Sequence, residues 1–121
     1  MSNSYVVKMP IPVSANQRLI RTSYGTLTNS NKYRNWFNSA YFSITKNKVI
    51  SPICNRVAIK IIVHFKDNRR RDLDNILKGF QDVCTKAKYF LDDAQIDHLA
   101  IHRGKIDRNK QGYLIAKIKE I

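Results

Sequence analysis

The sequence predicts one small α+β domain, with helices packed on a small mixed sheet in the order β-α-β-α-β-β. Three observations carry this prediction. A chain of 121 residues suits a single core. Residues 56–65 alternate between apolar and mixed positions as a strand does. Residues 73–87 carry an apolar stripe at helical spacing.

The elements follow in order. Tyr5 to Met9 reads as a short strand ended by Pro10 and Pro12. Residues 13–28, polar and basic, read as a loop. A first helix starts near Asn29 to Asn31, because Tyr33, Trp36, Phe37, Ala40, Tyr41 and Ile44 recur at helical spacing. Trp36 and Tyr41 fall on that stripe and are read as core. Lys46 to Cys54, with Pro52, is a connector. In the strand of residues 56–65, Val57, Ile59, Ile61, Val63 and Phe65 form one apolar face. A basic turn with Arg69, Arg70 and Arg71 leads to a second helix starting near Asp72. Leu73, Ile76, Leu77, Phe80, Val83, Cys84 and Ala87 make its buried stripe, and Asp74, Asn75, Lys78, Asp82 and Thr85 lie opposite. After a turn with Asp92 and Asp93, strands near 96–103 and 113–120 complete the domain. No repeat, low-complexity tract or domain linker interrupts the pattern.

Charge narrows the function. Lys plus Arg number 22 and Asp plus Glu 9, a net +13. Such a field draws polyanions, nucleic acid first among them, with a membrane surface or a ribosome as the other candidates. Cys54 and Cys84 have neither metal-ligand spacing nor a disulfide framework. The opening residues do not form a signal peptide, and no apolar run approaches a membrane span. The expectation is a cytoplasmic protein.

Five of the nine acids nevertheless lie between Asp72 and Asp93. A protein that only grips phosphates would do better without them, since each carboxylate near a phosphate costs repulsion. A divalent metal reverses the sign: carboxylates hold it, and it binds the phosphate. Asp72, Asp74 and Asp93 are therefore candidate metal ligands. At a helix N-cap Asp72 need not be helical, so its carboxylate can swing toward Asp74. Lys78, four residues after Asp74, shares its face and can reach the carboxylate or a bound phosphate. Asp93 joins them only if the turn beyond the helix leads back to the helix start.

Plainer readings stand beside these. Acids in a first helical turn complement the helix dipole, a gain of about 0.3–1 kcal/mol each. Capping is the simpler reading of Asp72 alone; for Asp72 with Asp74, capping and metal binding are balanced. Asp82 reads as a solvated face residue. Asp92 and Asp93 could be ordinary turn residues. An EF-hand fails because Leu77 stands where the loop glycine belongs. His64, His98 and His102 make no metal set and are read as structural or DNA-contacting. Arg69 to Arg71, beside the acids, reads as a phosphate contact.

The stretch Arg70-Arg71-Asp72-Leu73-Asp74-Asn75-Ile76-Leu77-Lys78, continued by Leu91-Asp92-Asp93-Ala94-Gln95-Ile96, resembles the signature of the RusA family of Holliday junction resolvases. Pro10, Pro12, Ser14, Asn16 and Arg18 resemble that family's opening, whereas residues 20–55 add little. The resemblance implies a homodimer, bacterial or phage-encoded and nucleoid-associated, that binds four-way DNA junctions. It implies paired symmetric nicks with Mg²⁺, or Mn²⁺ in its place, in DNA recombination and repair. It assigns Asp72, Asp74 and Asp93 as catalytic carboxylates, Lys78 as the catalytic lysine, and Asp92 and Asn75 as supporting residues. Arg69, Arg70, Arg71, Asn16 and Arg18 match DNA-facing positions. One departure is Lys88, where family members often carry the glycine that ends the second helix; the expectation is a different helix end. A two-fold junction cut on two strands suits a two-fold protein, with an exposed strand or the first helix as the pairing surface. The alternatives are a DNA-binding module with a decayed site and a basic structural protein of a nucleoprotein complex.

Overall fold

The computed structural model describes residues 3–46 and 50–121. Residues 47–49, in the connector expected between Lys46 and Cys54, lie outside them. Among the described residues, six strands and two α-helices follow one another: β1 (Ser4–Met9), β2 (Leu19–Arg21), β3 (Leu27–Asn29), α1 (Asn31–Thr45), β4 (Val57–His64), α2 (Leu77–Lys86), β5 (Ile96–Arg103) and β6 (Tyr113–Glu120). Short 3-10 turns occupy Ala15–Gln17, Leu73–Ile76 and Asp93–Gln95.

The main sheet has strand order β1-β6-β4-β5, antiparallel except for the parallel pair β4 and β5. It is therefore mixed, as expected. The parallel pair requires a crossover, and α2 supplies it. β4 lies inside the sheet with Val57, Ile59, Ile61 and Val63 fully buried, while Lys60 on the opposite face is exposed. That alternation is why its period was legible. Phe80, Val83 and Cys84 of α2 and Tyr33, Trp36, Ala40 and Ile44 of α1 join the same core. Full burial of Phe80 alone contributes about 1.5–3 kcal/mol. The α2 backbone passes close to α1 at Gly79, where a Cβ would stand 3.1 Å from Pro12 and 3.2 Å from Trp36.

Three expectations need correction. Residues 13–28 are not all loop, since β2 and β3 pair as a two-stranded hairpin. Leu19, Ile20 and Leu27 remain half exposed there, so the segment has no core-facing alternation to betray it. Tyr41 is not core. It is 37% exposed, because the buried line through Tyr33, Trp36, Ala40 and Ile44 passes one residue to its side. The end of α2 is also not of a different kind. Lys88 takes the left-handed conformation at φ 65° that glycine would take. Its N–H donates to the Thr85 carbonyl (3.0 Å), and the Tyr89 N–H donates to the Cys84 carbonyl (3.1 Å). These are the two bonds of a Schellman cap. Burial of Tyr89 and Phe90 pulls the chain into this turn, and the Tyr89 hydroxyl donates to the Ile44 carbonyl at the end of α1.

A left-handed residue with a Cβ costs about 1–2 kcal/mol, partly offset by the greater unfolded-state entropy of glycine. Lys88→Gly should therefore stabilise the fold by about 0.5–1 kcal/mol, which thermal denaturation would read as a rise of about 2–6 °C. An unchanged or lowered melting temperature would contradict this account of the helix end.

Candidate active site

The polypeptide leaves the sheet at Phe65, passes the basic turn, and enters α2 through the 3-10 turn Leu73–Ile76. Asp72 sits at the N-cap of that turn with extended backbone (φ −88°, ψ 128°), yet its side chain makes no capping hydrogen bond. The carboxylate is exposed, and so is that of Asp74. Among the described residues neither forms an ion pair, although the protein carries 22 cationic side chains. Capping therefore does not account for Asp72.

Neighbouring cations are held by other groups. The Arg71 guanidinium donates to Asp67 and lies over the Phe65 ring, 5.3 Å from its centroid. That bond, with the Arg69 backbone N–H, holds the Asp67 carboxyl well below its usual range, at about 2. Arg69 and Arg70 remain exposed. With Arg71, Asp72 and Asn75 they line one cavity of about 740 Å³. Arg103, which sequence reasoning missed, stacks on Phe65 at 4.7 Å and donates to the Arg71 carbonyl at 2.6 Å. It ties the C-terminal end of β5 to the residue preceding Asp72. No spacing rule links positions so far apart.

Asp92 and Asp93 lie at the opposite end of α2. Asp92 caps the turn Asp93–Gln95, accepting from the Ala94 N–H at 3.0 Å, and the Gln95 side chain closes a capping box. That N–H, then a hydrogen bond shared with the Asp93 carboxyl, lowers the Asp92 pKa. Asp92 thus has a structural role, as a turn residue, whereas Asp93 caps nothing.

The four acids do not meet within one chain. The Gln95 side chain donates to the carbonyls of Ile53 and Asn55, at the foot of β4. From there β5 runs parallel to β4, from Ile96 beside Val57 to Arg103 beside Val63. Arg103 is the residue that touches Arg71. Asp93 and Asp72 therefore lie toward opposite ends of an eight-residue strand, which itself spans about 25 Å. Among the described residues, no three His, Cys, Asp or Glu side chains gather closely enough to hold a metal ion. The condition set for Asp93, a turn leading back to the helix start, is not met in a single chain. A parallel β-α-β crossover forces this, because its second strand must begin at the foot of the first.

Lys78 also departs from expectation. Its ammonium lies 3.2 Å from Asp82 rather than on Asp74. Asp82 is only partly exposed and receives Arg18 Nη2 at 3.0 Å and the Tyr33 hydroxyl at 3.3 Å. It is not a solvated face residue. Burial, the largest influence, raises the Tyr33 pKa, so the phenol keeps its proton and donates to Asp82. Arg18 is thus engaged by the protein, whereas Asn16 is exposed in the turn Ala15–Gln17. Lys78, Asp82, Asp92 and Asp93 line a second cavity of about 770 Å³, with Arg18, Arg34 and Lys86 on its walls. His98 and His102 are exposed on β5, and His64 stacks on Tyr113. Cys84 is buried, which pushes its thiol pKa up, and Cys54 is exposed. Among the described residues, no helix is long and apolar enough to cross a membrane.

Comparison with known proteins agrees with the motifs. A family model described as Endodeoxyribonuclease RusA matches residues 10–116. The chain is 33% identical over 122 residues to the crossover junction endodeoxyribonuclease rusA of Enterobacteria phage HK97, covering 98% of this chain and 99% of that one. It is 37% identical over 95 residues to the crossover junction endodeoxyribonuclease RusA of Escherichia coli K12, covering 78% of each. The enzyme of the same name from Enterobacteria phage 82 is 35% identical over 94 residues, again covering 78% of each.

Proposed function

The chain belongs to the RusA endodeoxyribonuclease family, and on that premise we propose that it is a structure-selective endonuclease acting as a homodimer on four-way (Holliday) junctions. The nicks are paired and symmetric, Mg²⁺ is the cofactor with Mn²⁺ as its substitute, and the setting is recombination and repair of DNA in the bacterial cytoplasm. The observation that carries this reading is the exposed carboxylate pair Asp72 and Asp74 beside Arg69–Arg71, which caps no turn and, among the described residues, forms no ion pair. An acid pair there opposes DNA binding unless a cation joins it to the phosphate.

The donor set is chemically right for Mg²⁺, hard oxygens in every case, but one chain presents it in two halves. Asp72 and Asp74 lie at one end of α2, and Asp93, with Asp92 behind it, lies at the other. A two-fold dimer joins the halves by setting one chain's Asp93 against its partner's helix start. β5 suggests the contact. It is an edge strand of the sheet, preceded by Asp93 and tied at its end to Arg71. Antiparallel pairing of two such edges across a two-fold axis sets the head of each against the tail of the other. Each dimer then has two equal sites for the two strands of a symmetric junction.

When bound, the ion supplies charge neutralisation and activation of a water at the scissile phosphate. The chain's own residues do the rest. Arg69 and Arg70, exposed and basic, hold the DNA backbone without reading sequence. Arg71, pinned by Asp67, fixes the turn that presents Asp72. Lys78 brings a positive charge toward the phosphate, where negative charge grows as the bond breaks.

The test uses a labelled synthetic four-way junction and a linear duplex, each with Mg²⁺ or EDTA. Symmetric nicks on the junction alone, absent in EDTA, are expected. Binding without nicks would favour the non-catalytic DNA-binding reading.

A further inference from the structure

Asp82 is a point of convergence that neither the motifs nor the comparisons explain. A Lys–Asp pair four residues apart on a helix is ordinary and stabilises only weakly. Here the same carboxylate also receives Arg18, from the segment before β2, and Tyr33, from α1. Arg18 is held a second time, its guanidinium 4.8 Å above the Tyr33 ring centroid. Four side chains from three segments thus form one unit on the wall of the cavity that contains Asp93.

The sign of the charge is informative. If this wall only attracted DNA, Asp82 would weaken it by cancelling cations and repelling phosphate. A carboxylate helps there only when the cations must stand in one place. Lys78 otherwise swings on four rotatable bonds and has that rotamer entropy to lose on docking. A group held in place before the phosphate arrives avoids that loss.

We propose that Asp82 is a positioning residue of the junction-cutting site: with its own carboxylate fixed by Arg18 and Tyr33, it holds the Lys78 ammonium on the Asp93 side of the cavity, ready to meet one phosphodiester. This rests on the endonuclease reading above. Asp82 touches no DNA and acts through Lys78. Removing its charge should slow cutting and leave binding intact or tighter, because a repulsive charge is lost while both cations remain. General unfolding would weaken both.

The experiment is a double-mutant cycle of Asp82→Asn and Lys78→Gln, with single-turnover cutting of a saturating four-way junction in Mg²⁺, junction affinity in EDTA, and melting temperature as readouts. Asp82→Asn is expected to cut about 10–100-fold more slowly, the usual size of an outer-partner effect, with junction affinity equal to or above wild type. In the Lys78→Gln background it should slow cutting no further. Wild-type cutting by Asp82→Asn, or an equal slowing without Lys78, overturns the proposal. Should Asp82→Asn fail to fold, Asp82→Glu replaces it, keeping the charge but moving it by one methylene. A loss confined to chains carrying Lys78 then supports positioning, and a full rate or a Lys78-independent loss overturns it. A wild-type chain that binds junctions and never cuts them defeats the parent reading and this one together, whereas wild-type cutting matched by Asp82→Asn defeats this one alone.

Discussion

Asp74→Asn is expected to abolish junction cutting, with a rate loss of about 10³-fold or more, while junction binding persists or tightens. The cause is electrostatic. Asp74 is exposed and, among the described residues, forms no ion pair. It therefore has little structural work to lose. The asparagine keeps the shape and one carbonyl acceptor and removes the charge that would hold a divalent ion. Loss of a single preorganised charge-stabilising group typically costs about 10²–10³ in rate, and a lost metal ligand removes the cation's contribution as well. Binding moves the other way, because affinity for DNA is dominated by phosphate contacts and one repulsive charge has gone. Two measurements on one preparation check this: the gel-shift midpoint in EDTA and the single-turnover rate in Mg²⁺. Unchanged cutting would remove Asp74 from the site, and weaker binding with a lowered melting temperature would recast it as structural.

The second large effect concerns the two halves of the acid set. Asp74→Asn and Asp93→Asn chains should each be inactive alone, yet a mixed dimer should recover up to half of the wild-type sites. In a shared site, one position of the mixed dimer combines both substitutions. The other combines the intact Asp72 and Asp74 of one chain with the intact Asp93 of its partner. That single site nicks one strand, so the product is a nicked junction rather than two resolved duplexes. If each site were built within one chain, both would carry a substitution and mixing would restore nothing. Differently tagged chains, co-purified and assayed on a labelled junction, separate these outcomes. The basis is the direction of β5, which starts beside Asp93 and ends against Arg71.

Much of this protein was legible without coordinates. The period of two in Val57–Val63 and the period near 3.6 in Leu73–Ala87 were visible because one face of each element is buried and the other is not. The hairpin β2–β3 lacks a buried face, so nothing in its pattern announced it. Tyr41 was misjudged for a related reason, since a stripe predicts which side of a helix is buried but not how wide the burial is. Lys88 shows that a local preference can yield to packing: the glycine-like turn forms without glycine because Tyr89 and Phe90 are drawn into the core.

The candidate site divides in the same way. Local spacing was enough to single out Asp72, Asp74, Lys78 and the arginines before them, because these residues share one turn and one helix and their relations are set by backbone geometry over a few residues. The family signature extended that to Asp93. What spacing could not convey was distance between elements. Asp82 became the partner of Arg18 and Tyr33 only when α1 packed on α2. Asp93 came to lie a strand's length from Asp72 because a parallel crossover returns the chain to the foot of the sheet. The sequence alone determined the chemistry on offer, acids for a cation and bases for a phosphate backbone, since charge and residue type need no fold. Only the tertiary structure decided which of those groups stand together, because contacts between distant segments depend on how strands are ordered and which way each one runs.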